Sequence, residues 1–161
     1  MPYFEPLNLD LASMPQLSAS YVFVYGTLRR GESRDINRLL PVPQWLGSAS
    51  VSGLLYDLGT YPGLLLGGPG RVVGEVYAIS PALERQLDAI EEVWPQQSGE
   101  YARREVLVQL DSHLVPHDEA AAGAKPTLLP CLLYEIAPER TQGRPLINSG
   151  DWVQYRMARA I

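Results

Sequence analysis

The chain has one cysteine, two histidines and no surplus of positive charge, and each scarcity excludes a class of function. A single thiol cannot close an internal disulfide. Cys131 lies in the apolar run Leu128 to Tyr134, which predicts a buried, inert side chain and a reducing, cytoplasmic setting. With a formal net charge of -5 and both signs mixed along the chain, there is no broad cationic footprint for a phosphate backbone or an anionic lipid. No nucleic acid and no membrane partner is expected. No apolar stretch is long enough to span a bilayer, and residues 1 to 20 carry Glu5 and Asp10 but no Lys or Arg, so the basic start of an export signal is missing. His113 and His117 stand four apart, but Pro116 denies them a helix face and no third ligand is near; no metal site and no cofactor is expected. Ser33 and Ser149 fit no nucleophile elbow, and Gly67 to Gly70 lacks the Lys and Ser/Thr of a phosphate-cradling loop.

What is present is apolar material for one core, since 46% of the residues are hydrophobic. The expected organisation is an irregular arm over residues 1–20, broken by Pro2, Pro6 and Pro15, and a single domain over residues 21–161. Tyr21 to Tyr25 is a β-branched and aromatic run ended by Gly26, which predicts a buried strand entering a sharp turn. Ile36, Leu39 and Leu40 recur at helical spacing and predict a helix over about residues 33–40, stopped by Pro41. Trp45 to Tyr56 reads as a long strand weakened at Gly53; the turn-rich Asp57 to Gly63 follows. Gly67-Gly68-Pro69-Gly70 predicts a tight reversal into a strand over residues 71–79.

Ser80 before Pro81 caps a helix whose Leu83, Leu87 and Ile90 form an apolar stripe, bounded by Pro95. Further strands are expected over residues 103–110 and 128–136. The Ala-rich insert between them, Asp111 to Pro126, reads as a mobile surface excursion. Ser149 to Trp152 opens a last helix with Asp151 in its first turn and Arg156 and Arg159 near its end. Strands dominate and the helices fall irregularly among them, so the class is α+β with a mixed sheet rather than a doubly wound α/β fold.

The loop Tyr25-Gly26-Thr27-Leu28-Arg29-Arg30-Gly31 follows the first strand directly, where a glycine allows successive N–H groups to approach a carboxylate or a developing oxyanion. Alone it reads as a strand-ending turn. Together with Asp57 to Gly63, Gly74-Glu75-Val76-Tyr77, Leu87-Asp88-Ala89-Ile90-Glu91, Tyr101-Ala102-Arg103 and Ser149-Gly150-Asp151-Trp152, in that order, it resembles the γ-glutamylcyclotransferase-like family. The resemblance runs from Tyr21 to Trp152. It implies a compact mixed β-barrel with flanking helices around a cavity for a γ-glutamyl group, and an enzyme that cyclises a γ-glutamyl amide to 5-oxoproline and a free amine. Tyr25, Gly26, Thr27 and Leu28 would hold the polar end of the substrate through backbone N–H groups, and Glu91 would be the catalytic carboxylate. Arg29 after the motif looks closer to the γ-glutamylamine branch than to relatives acting on glutathione. Glu92 departs from the pattern, standing where the family often has glycine, as do the stretched spacing from Glu91 to Tyr101 and the Ala-rich insert.

The residues support this chemistry independently. A γ-glutamyl amide carries its own nucleophile, the α-amine, so the protein need only orient it and move one proton. On a helix with 100° per residue Glu91 falls on the flank of the Leu83, Leu87, Ile90 stripe and Glu92 points away. A desolvated carboxyl at a helix C-terminus has a raised pKa. Tyr101 and at least one of Arg103 and Arg104, with Arg103 the candidate substrate-binding residue, are expected to support the site wall from the next strand, because alternation sends the two arginines to opposite faces. Two other readings stand beside the enzyme: a binding module with the same cavity and no turnover, and an interaction protein using the tail and the insert.

Overall fold

The computed structural model of the chain describes residues 20–92, 98–111 and 127–159. Of the expected irregular arm only Ser20 is included. The Ala-rich insert beyond Asp111, with His113 and His117, lies outside the described residues. β1 (Ser20–Val24) is the anticipated apolar strand, and its last three residues are buried. It is followed by β2 (Gln44–Asp57), β3 (Pro62–Ile79), β4 (Tyr101–Leu110) and β5 (Thr127–Ile136).

The strands close into a barrel in the order β1-β3-β2-β4-β5. β1 runs parallel to β5 where Val22 meets Leu132, and the remaining pairs are antiparallel. Alternation then sorts the side chains. Phe23, Val51, Leu64, Val76, Val108, Cys131 and Leu133, drawn from all five strands, pack into one core. Val22, Val24, Tyr77, Leu132 and Tyr134 face the other way and pack against Leu83 and Leu87 of helix α1 (Pro81–Ile90). Cys131 is buried as expected, and burial pushes its thiol up to about 12. Among the described residues no helix is long and apolar enough to cross a membrane.

Helix α1 starts as its sequence requires, with the Ser80 hydroxyl accepting from Leu83 N at 3.1 Å and Pro81 in the first turn. It ends at Glu91, the C-cap, whose N–H still donates to Leu87 O at 2.9 Å. Helix α2 (Trp152–Arg159) differs slightly from expectation. Asp151 precedes it as the cap, accepting from Gln154 N at 3.1 Å, and so lies outside the first turn.

Two expectations are corrected. The helix over residues 33–40 shrinks to a 3-10 turn, Ile36–Arg38, because the Asp35 carboxylate accepts from Gly31 N and Asn37 N and only Ile36 within the turn finds a core to enter. Gly67 to Gly70 is not a reversal. Gly53 pairs with Leu66 and the neighbouring Ser52 with Arg71, so β3 stays on β2 and the four residues between are extruded as a bulge. The actual hairpin turn is Leu58 to Tyr61, closed by Leu58 N to Tyr61 O at 2.9 Å. The weakness foreseen at Gly53 is the other side of that bulge.

Candidate active site

The chain leaves β1 through Tyr25 and turns at Gly26. A Cβ at Gly26 would stand 2.7 Å from Cγ of Pro62, so the glycine is required by the close approach of the start of β3. The carbonyls of Gly26, Thr27 and Leu28 accept from Arg29, Arg34 and Ile36 N at 3.0, 2.9 and 2.9 Å. Their own N–H groups meet no acceptor among the described residues. Behind the loop, Arg29 donates to Glu75 at 3.1 Å and to Asp151 at 3.0 Å, and Glu75 also accepts from Arg30 N at 2.9 Å. Arg29 therefore braces the loop and does not line the cavity, so the inference about substrate drawn from its identity has no contact to act through.

The cavity is narrow, with a volume of about 30 Å³. Tyr25, Gly26, Thr27 and Leu28 line it together with Pro62, Glu91, Tyr101 and Tyr134. A wider cleft of about 260 Å³ shares Thr27, Glu91 and Tyr101 with it and adds Arg34, Tyr61, Glu92 and Glu100. The room for a small ligand lies in the cleft, and the narrow cavity forms its inner end.

Glu91 is half-buried, and among the described residues its carboxylate has no hydrogen bond and no ion pair. Burial pushes its pKa to about 7; the Arg34 guanidinium pulls it back, and Glu100 and Glu92 push it further up. Arg103 and Arg104, the obvious candidates to neutralise it, are engaged elsewhere: Arg103 with Asp88 and Glu84 at 2.6 Å each, Arg104 with Glu135 at 2.9 Å. Glu92 is exposed and adopts φ 58, the left-handed backbone that glycine takes without strain. Its departure from the family pattern has a local conformational cost.

The tyrosines are walls. Tyr25 donates to Tyr134 O at 2.6 Å, Tyr101 to Pro62 O at 2.9 Å and Tyr134 to Asp88 Oδ1 at 2.7 Å. Burial raises all three phenols well above their ordinary range, so they stay protonated with their hydroxyls already committed. Of the residues expected from the sequence, Tyr25, Gly26, Thr27, Leu28, Glu91 and Tyr101 share the cavity, whereas Arg103 stands outside its lining. Tyr134 and the approach of Pro62 carried no local signal, because each reaches the cavity through strand pairing.

The class is thus a closed five-stranded barrel in which one small cavity holds a row of unengaged N–H groups and an unpaired carboxyl whose pKa burial raises to about 7. Comparison with known proteins gives that class its family. The family model described as Gamma-glutamyl cyclotransferase, AIG2-like matches residues 22–154, and the chain belongs to this family. A Vibrio cholerae protein named for the gamma-glutamylcyclotransferases is 47% identical over 135 residues, covering 83% of this chain and 95% of that protein. The gamma-glutamylcyclotransferase family protein YtfP of Escherichia coli is 35% identical over 133 residues, covering 82% of this chain and 95% of YtfP. The crystal structure of an AIG2-like protein from Mus musculus superposes with a TM-score of 0.59 at 28% identity, over 83% of this chain and 88% of that one.

Proposed function

We propose that the protein is a cofactor-independent enzyme that cleaves a γ-glutamyl amide or peptide by intramolecular cyclisation, releasing 5-oxoproline and a free amine. The observation that carries this reading is the unpaired Glu91 carboxyl, with a pKa of about 7, in the same small cavity as the unengaged N–H groups of Gly26, Thr27 and Leu28. Near neutral pH about half of such a carboxyl is ionised, so it can both take and return a proton.

In this mechanism the α-amine of the bound substrate attacks its own γ-carbonyl carbon and closes a five-membered ring. Glu91 takes the proton that the amine loses. The loop N–H groups stabilise the oxyanion of the tetrahedral intermediate. Collapse of the intermediate breaks the original amide C–N bond, and Glu91 returns its proton to the departing nitrogen. Binding holds the amine and carbonyl in one conformation, which supplies much of the rate enhancement because the reaction is already intramolecular. The tyrosine walls exclude water and so favour ring closure over hydrolysis.

The test is release of 5-oxoproline from a panel of γ-glutamyl amines and peptides. Catalytic release from at least one member, saturable in substrate, is the expected result. Binding of 5-oxoproline without turnover of any member would instead make the barrel a non-catalytic binder of the same compounds.

A further inference from the structure

Helix α1 carries three carboxylates along one stripe, Glu84, Asp88 and Glu91, spaced four and three residues apart so that they stand one above another. Arg103 on β4 gathers the first two, donating through Nη2 to Glu84 and through Nη1 to Asp88, each at 2.6 Å. The second oxygen of the buried Asp88 accepts the Tyr134 hydroxyl from β5 at 2.7 Å, and the Tyr134 carbonyl accepts the Tyr25 hydroxyl at 2.6 Å. The last turn of α1 is thereby tied to two barrel strands and to the first residue of the loop that lines the cavity. Glu91 follows as the helix cap, and the next residue, Glu92, turns into left-handed backbone. The nearest side-chain ties on the helix are those of Asp88, one turn before Glu91.

We propose that Asp88 and Arg103 are positioning residues for Glu91: their clamp sets the last turn of α1 so that the Glu91 carboxyl stands inside the cavity lined by Tyr25 to Leu28. The inference rests on the cyclisation reading above and gives Arg103 a role through Asp88 in place of contact with substrate. It also explains how one arginine can serve a stripe of three carboxylates. By occupying both ends of its guanidinium on Glu84 and Asp88, Arg103 is withheld from Glu91, which stays unpaired. The groups that do bear on Glu91 are Arg34 and Tyr25 from β1 and its loop, Glu92 from its own helix end, Glu100 and Tyr101 from β4 and the residue before it, and Tyr134 from β5.

The experiment compares Asp88→Asn and Arg103→Gln with Arg104→Gln, whose guanidinium pairs with Glu135. Both clamp variants are expected to lower kcat for 5-oxoproline release by about tenfold or more, since small displacements of a catalytic group are costly. KM should move by less than about threefold, because substrate contacts are untouched. Arg103→Lys should restore part of kcat, and Arg104→Gln should behave as wild type. In both clamp variants the acid limb of kcat should move down from about pH 7, because a loosened last turn lets water reach Glu91 and relieves its desolvation. Charge effects alone would act in opposite directions, raising the limb on loss of the Arg103 cation and lowering it on loss of the Asp88 anion. Opposite shifts, or an unchanged kcat and limb, overturn the proposal.

If Asp88→Asn does not fold, Arg103→Gln and Arg103→Lys on the partly exposed partner carry the comparison. If the wild type turns over no γ-glutamyl amide, the cyclisation reading falls and the clamp is judged by carbon-13 titration of the Glu91 carboxyl, assigned by its loss in Glu91→Gln. A midpoint that drops toward the ordinary carboxylate range in the variants supports the clamp, and one that stays near 7 overturns it.

Discussion

Two helices flank the barrel, and the carboxylates beside them meet opposite fates. Near α2, Glu32 is buried and accepts from Trp152 Nε1 at 3.0 Å and from Arg156 at 2.8 and 2.7 Å. Asp57 accepts from Gly59 N, the Tyr155 hydroxyl and Arg159. Burial alone would raise Asp57, but these partners outweigh it and the net direction is down. Near α1, Glu84 and Asp88 are likewise paired, and then Glu91 is left without a partner and raised. The same side-chain chemistry is thus paired and held ionised on one side, unpaired and raised on the other. What differs is whether a donor arrives with the burial.

Removing the unpaired group should strike activity and spare the fold. Glu91→Gln is expected to lower 5-oxoproline release by about a thousandfold while thermal unfolding is unchanged or shifted upward, as measured by turnover and calorimetry. Full activity in this variant would erase the contrast between the two helices.

The pH dependence of stability should carry the same signature. The folded pKa of Glu91, about 7, lies above its ordinary 4.5, so the stability its neutral form contributes is fully present below about pH 4.5 and lost as pH rises through 7. Wild type should therefore fall behind Glu91→Gln in urea melts between pH 5 and pH 8, by no more than about 3 kcal/mol. Parallel curves would show that Glu91 is solvated in the folded chain.

On the other side the effect should be the reverse, stability without chemistry. Glu32→Ala strands the buried Trp152 N–H and the Arg156 guanidinium, at a cost of about 2 kcal/mol, or about 4–8 °C in Tm. An unchanged Tm would mean that pairing is not what Glu32 contributes. The smallest effect is expected next to the candidate site. Glu92→Gly relieves the left-handed backbone and should raise Tm by about 2–4 °C, corresponding to about 1 kcal/mol.

Much of this was legible locally. The run Tyr21 to Tyr25, the Ser80 cap and the Leu83, Leu87, Ile90 stripe announce β1 and α1, and the helical period puts Glu91 in the inner cavity, while Glu92 reaches only the rim of the wider cleft. Gly-Gly-Pro-Gly misled because the same residues suit a reversal and a bulge. Which one forms is decided by whether the strand beyond keeps its partner, and here Arg71 still pairs with Ser52. Ile36, Leu39 and Leu40 have helical spacing, yet Asp35 offers the backbone a competing set of hydrogen bonds.

Arg103 shows where local reading stops. Its place beside Tyr101 on a strand makes it a candidate for the cavity wall, but the two carboxylates that capture it are on α1, 15 and 19 residues earlier. The sequence by itself determined β1, α1, their apolar faces and the face on which Glu91 lies, because propensity, capping and period act between near neighbours. Only the tertiary structure decided that Arg103 goes to Asp88, that Tyr134 closes the clamp from 46 residues away and that Glu91 is left desolvated and unpaired. A pKa depends on which donors and how much water reach a carboxyl through space, and that is set by barrel closure rather than by the residues adjoining it in the chain.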